Sequence, residues 1–430
     1  MFPSGNYTDP AKTTSPKLVL PFYLYAAVSF LCAAVLLLFS VKDFTGHYFN
    51  PHMLAITHIM ALGWCTMIIL GASHQLVPVI IEGSLFSPFL ARSSFIFSAI
   101  GIPVLVYGFY QFNMGWPSRM GGMLIVLSVL SYVVNLGLSI SKSGNESVQS
   151  SFVLTASLWL LVTTIIGLLL VYNFSIPLLP HNSVAYLSFH AHIGIVGWFL
   201  LLVMGVGSKL IPMFLISKYQ HNSMLWWIFG LVNGGLLVFA VCFLYNSAAY
   251  LFFLPLVLIL AAVFLFMFFC YKAYRERIRK KVDEPMKLSL LSVLIMAIPP
   301  VMMIVLLLVL TGTNKTPAKL VTAYGFLVFF GWLTAIILGM TFKTLPFIIW
   351  NKVYHRLLGK IKAPNPRELY NDKIVQVMLY CFFAGLGVFV TGILVESVLL
   401  LRAGGMLLLV TAILYNWNVM YLLKHKVQPG

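Results

Sequence analysis

The sequence predicts an all-α integral membrane protein of twelve transmembrane helices, arranged as three pseudo-threefold-related four-helix units. Three observations carry this: an apolar composition, apolar runs of membrane-spanning length, and a motif that recurs at one period. Of 430 residues, 61% are hydrophobic and 9% charged, against about 25% charged in a soluble domain. A chain in lipid must satisfy its backbone internally, and apolar runs beyond about 18–20 residues do so as helices. Barrels and soluble enzymes are excluded, and residues 1–430 read as a single membrane domain.

Hydrophobic runs bounded by Gly, Pro, Asn and charge clusters place the spans near 18–41, 52–82, 89–112, 120–141, 152–173, 184–216, 224–245, 248–271, 288–311, 319–350, 374–395 and 399–423. Residues 1–17 are polar and the following apolar run is full length, so no cleavable signal peptide is expected. Cys32, Cys65, Cys242, Cys270 and Cys381 all fall within apolar runs and lack CxxC spacing. That pattern indicates neither a disulfide framework nor a zinc site.

The net charge of +17 reads as a topology signal rather than a nucleic-acid footprint. Residues 271–287 and 352–373 carry thirteen of the 27 basic residues, and both segments follow even-numbered spans. Those loops and both termini are therefore expected on the cytoplasmic side of a bacterial cytoplasmic membrane. Only Lys42, Arg119, Lys315, Lys319 and Arg402 are left for the outer side.

Spans 2, 6 and 10 share one pattern: Gly63-Trp64, Gly71 and Pro78; Gly197-Trp198, Gly205 and Pro212; Gly331-Trp332, Gly339 and Pro346. The displacement is 134 residues both from Gly63 to Gly197 and from Gly197 to Gly331. Close packing and interfacial anchoring explain small residues and Trp in membrane helices. They do not explain four positions recurring in one gap-free register, which predicts internal repeats over approximately 18–141, 152–271 and 288–423.

All ten acidic residues lie in loops or at span ends, whereas His58 and His74 fall within span 2 and His190 and His192 within span 6. A membrane-buried imidazole costs free energy unless it has a partner. His58 precedes Gly63 by five residues and His192 precedes Gly197 by five. At about 1.5 Å rise per residue, His58, His190 and His192 form one layer roughly 9–12 Å inside the outer helix ends. Residues i and i+2 are about 200° apart around a helix, so His190 and His192 address different pockets.

Neutral imidazole is a usual axial ligand of haem iron and also suits copper, and facing bundle helices hold such cofactors. His58, His190 and His192 are therefore the candidate metal ligands, with Trp64, Trp198 and Trp332 lining or supporting the pockets. His74 taken alone reads as a packing residue. His47, His52 and His181 lie near outer loops, where each could hold a propionate or face water; His221, His355 and His425 belong to the basic side. Gln75, Lys209 and Lys343 share one repeat position near the inner ends, where the lysines are expected to snorkel to the headgroups.

The twelve spans, the threefold repeat, and the stretches THIMALGW (57–64) and HAHIGIVGW (190–198) together resemble subunit I of the haem-copper oxidase superfamily over nearly the whole chain. NnrS-type haem- and copper-containing membrane proteins are a more distant likeness. The resemblance implies a low-spin haem ligand at His58 and a copper ligand at His190 or His192. The family's span-7 histidine pair has no counterpart here, and its span-10 His-x-His is replaced by Tyr324-Gly325-Phe326. Those losses remove the high-spin haem ligand and two of three copper ligands, so the resemblance implies the fold and one haem, not oxygen reduction.

The expectation is a membrane haemoprotein in which His58 and either His190 or His192 hold haem b, with copper as a second candidate metal. It would serve electron transfer or the binding of a diatomic gas such as NO or O2. Any enzymatic activity would be that of a haem-copper-type oxidoreductase. Expected partners are the lipid bilayer and respiratory or electron-transfer proteins, not nucleic acid. Three other readings stay open: a copper-binding or respiratory-complex assembly protein without haem, a transporter, whose folds also use internal repeats, and a structural partner subunit.

Overall fold

The computed structural model describes residues 14–144, 147–278, 280–357, 361 and 363–427. Both chain ends, most of the polar leader, and Asp9, Lys12, Glu146, Arg279, Lys360 and Lys362 lie outside the described residues. Among the described residues the protein is helical without a strand, and twelve helices are long and apolar enough to cross a membrane. They are α1 Pro16–Phe39, α2 Pro51–Ile80, α3 Pro88–Tyr110, α4 Trp116–Ser143, α5 Val148–Asn173, α6 Ser183–Leu215, α7 Asn222–Leu244, α8 Ala249–Arg275, α9 Glu284–Thr313, α10 Ala318–Tyr354, α11 Asp372–Leu394 and α12 Val398–Leu423. Each expected span is present, with ends displaced by a few residues.

The helix starts follow local chemistry. Asn50 accepts a hydrogen bond from the Met53 amide with Pro51 in the first turn, and Ser87 and Pro88 open α3 in the same way. Proline lacks the amide that would be unsatisfied there, and the cap side chain satisfies a second one. Asp283, Asn371 and Ser397 cap α9, α11 and α12 likewise.

Three helices form the centre. In α2, α6 and α10, 67, 72 and 78% of the most apolar stretch is buried, while the other nine spans range from 28 to 50%. The outer helices pair as α3 with α4, α7 with α8 and α11 with α12, and the ring closes through α4 against α5, α8 against α9, and α12 against α1.

Each central helix switches to π-helical hydrogen bonding in its N-terminal half, beginning at Ile59, Ile193 and Leu327. These starts are spaced by the same 134 residues as the Gly-Trp pairs. The π-turn is rare and concentrates at functional sites. The second motif glycine explains how a peripheral helix lies close against each central one. A Cβ on Gly71 would meet the Phe22 Cβ of α1 at 2.7 Å; on Gly205 it would meet Phe152 of α5, and on Gly339 the Pro285 carbonyl of α9 at 2.9 Å.

Candidate cofactor cavity

A cavity of about 870 Å³ lies in the half of the bundle away from the lysine-rich loops. Its lining comes from α2 to α6 on one side and from α6, α9 and α10 on the other, and is mostly aliphatic and aromatic. Glycines at 122, 167, 194 and 325 widen it. His58, His190, His192 and Trp198 all face this space.

The histidines are positioned by their own helices. His58 Nδ1 lies 2.8 Å from the Leu54 carbonyl, and His192 Nδ1 lies 2.7 Å from the Ser188 carbonyl. A carbonyl only accepts, so each ring donates from Nδ1 and leaves Nε2 as its lone-pair nitrogen. That bond to an i−4 carbonyl is the usual way a metal-binding histidine is oriented. His190 packs against α5, where a Cβ on Gly167 would meet its Cε1 at 2.9 Å, and its buried Nδ1 has no hydrogen-bond partner.

His58 is brought to His190, not to its register partner His192. The His58 and His190 rings are 6.3 Å apart between centroids and within 14° of parallel. His192 faces the other way, with its ring 5.8 Å from Tyr324 of α10 and 5.3 Å from Phe239 of α7. The two histidines of the i, i+2 pair meet different rings, each from a neighbouring central helix, but all of them line one cavity rather than the two pockets expected. Tyr324 stands 134 residues after His190, so the spacing of the Gly-Trp motifs also marks this further polar ring. At the corresponding position of α10, Phe326 stacks on Phe330 and Phe389, meets Phe44, and gives the cavity an apolar ring in place of an imidazole.

Other expected residues lie apart from the cavity. Trp64 does not line it: the indole stacks on Phe30 at 4.7 Å in the bundle core. Trp332 is likewise buried outside the lining. His74 is packed between Phe22 and Tyr132. His52 Nδ1 pairs with Asp43 at 2.7 Å, and His47 accepts the Phe49 amide, so both are engaged in the 41–50 connection. Lys343 does not snorkel freely. Its ammonium reaches Asp283 Oδ2 at 2.6 Å with both side chains almost fully buried, because the α9 cap lies beside α10.

Among the described residues, no three His, Cys, Asp or Glu side chains are grouped so as to hold a metal ion. The cavity's imidazoles are paired donors rather than an enclosing cage. In comparisons with known proteins, no protein-family model matches the chain and no curated protein matches it in sequence.

Proposed function

We propose that the protein is a membrane haemoprotein of three four-helix units, with haem b held between His58 and His190. The carrying observation is the near-parallel imidazole pair 6.3 Å apart, facing a large apolar cavity. A ring nitrogen lies about 1.1 Å from its imidazole centre and bonds a transition metal at about 2.0–2.1 Å. Two imidazoles that both bonded one metal would have centres no more than about 6.3 Å apart, and the His58–His190 separation is within that reach. Two imidazoles alone leave a zinc or copper(II) ion short of its usual four ligands, whereas haem would bring its own ring nitrogens, and His58 and His190 would be the residues that hold it.

Haem would supply a one-electron couple or an iron for a diatomic gas. The chain's residues orient the imidazoles through the Leu54 carbonyl and the Gly167 contact, and exclude water with apolar walls. Held by both His58 and His190, haem would favour electron transfer over the binding of NO or O2. The haem-copper oxidase likeness suggests a family in which span-2 histidine ligates haem; here its partner would come from span 6 instead of span 10. The basic loops orient both termini to the cytoplasm of a bacterial membrane, with respiratory or electron-transfer proteins as partners at the outer face.

The test is the visible absorption spectrum of protein purified from haem-replete cells. A Soret band is expected that is lost or shifted in His58→Ala and His190→Ala and retained in His192→Ala. Absence of a band, or a spectrum indifferent to both of the first two substitutions, overturns the reading.

A further inference from the structure

A second cavity, of about 500 Å³, opens at the lysine-rich end between the end of α8, the start of α9 and the loop before α11. Four cations line it, Lys280, Lys281, Lys287 and Arg367, against two carboxylates, Asp283 and Glu284. The carboxylates are already engaged. Asp283 accepts from Lys343 at 2.6 Å, and Glu284 accepts from Lys287 at 2.7 Å. Arg367 is held by Asp372 at 3.0 Å. Lys280 and Lys281 are exposed at the cavity and form no ion pair with any described residue. The buried Lys343–Asp283 pair anchors one side of a site with an excess of positive charge.

The site also continues into an apolar track. Lys287 and Leu290 line it from the first turns of α9. The same face of that helix then exposes Leu291 and Leu294. Residues at i, i+4 and i+7 to i+8 fall on one helix face. A small soluble anion would use the lysines alone, whereas a molecule with a charged head and long apolar tails would use both parts. Basic pockets between helix ends on the lysine-rich side are suited to phospholipid headgroups.

We infer that this pocket binds the phosphodiester headgroup of an anionic phospholipid between Lys280, Lys281 and Arg367, with the acyl chains along Leu291 and Leu294. The inference stands apart from the haem reading, because no residue is shared between the two cavities.

The experiment is native mass spectrometry of the full-length protein released from nanodiscs of phosphatidylglycerol and phosphatidylcholine in equal amounts. Wild-type protein is expected to retain phosphatidylglycerol about tenfold over phosphatidylcholine, and Lys280→Glu/Lys281→Glu to lose that preference. Lys315→Glu, in an exposed loop at the opposite end, is expected to keep it. Inorganic phosphate at millimolar concentration is expected not to displace the lipid. Equal retention by wild type and the double variant, an equal loss in Lys315→Glu, or displacement by inorganic phosphate each overturns the inference. An unchanged melting temperature of the double variant, whose altered side chains are exposed, keeps loss of fold distinct from loss of the site.

Discussion

The Trp64 indole of α2 donates to the Thr334 hydroxyl of α10 at 3.1 Å, across 270 residues of sequence. Trp198 of α6 donates to Thr66 of α2 at the same distance. Thr66 and Thr334 are the same register position, so the two bonds run in one sense around the centre. The third position of that register is Leu200, and the buried Trp332 indole nitrogen has no partner. Thr334→Val is expected to cost about 1 kcal/mol by leaving the Trp64 donor unmet. Leu200→Thr is expected to melt higher than Leu200→Val, since only Thr offers Trp332 an acceptor. That difference should vanish in a Trp332→Phe background, and thermal melts in detergent measure it.

Gly167 leaves the room that His190 occupies. Gly167→Val is expected to displace the His190 ring, because even a single added carbon comes within 2.9 Å of it. The Soret band should shift or weaken while the helical content by circular dichroism stays the same.

Lys343 and Asp283 join α10 to the start of α9 where both side chains are at most 9% exposed. Breaking such a buried pair by removing one partner commonly costs about 3–5 kcal/mol. Lys343→Met is therefore expected to lower the melting temperature strongly, and Lys343→Met/Asp283→Asn to recover part of the loss.

Haem that binds only the folded state stabilises it by mass action, by about 2.7 kcal/mol at a hundredfold excess over its dissociation constant. Protein from haem-limited cells is expected to melt lower than haem-loaded protein. The gap should close in His58→Ala, which differential scanning measurements read directly.

His425, just beyond α12, meets the Tyr354 hydroxyl at 2.8 Å, and burial lowers its pKa below the usual 6.5. The folded state thus prefers the neutral ring. Its contribution is full above pH 6.5 and is lost as pH falls from there through the lowered value. Wild type is expected to lose slightly more melting temperature than His425→Gln between pH 7.5 and pH 5. The ring's partial exposure keeps the effect small.

Much of the fold is legible along the chain because membrane helices are specified by local quantities: run length, apolar composition and breakers such as the Asn50-Pro51 and Ser87-Pro88 starts. The Gly-Trp register of spans 2, 6 and 10 likewise marks three alike helices, and they are the three buried at the centre. His58, His190, His192 and Trp198 are visible as polar or aromatic exceptions in apolar runs, and all four line the cavity. Trp64 is not in that lining, since a residue type and a register do not state which neighbour a ring meets.

The twelve membrane helices, the Gly-Trp register shared by three of them, and the imidazoles out of place in lipid are all legible along the chain. That His58 meets His190, His192 meets Tyr324 and Lys343 meets Asp283 emerges from the packing of the helices. The physical reason is that a helix sets the direction of each side chain within about one turn of its own axis. Which ring or charge lies opposite depends on how neighbouring helices rotate and approach. That is set by contacts made all along their length, such as the glycine at 71 against Phe22 and the glycine at 167 against His190.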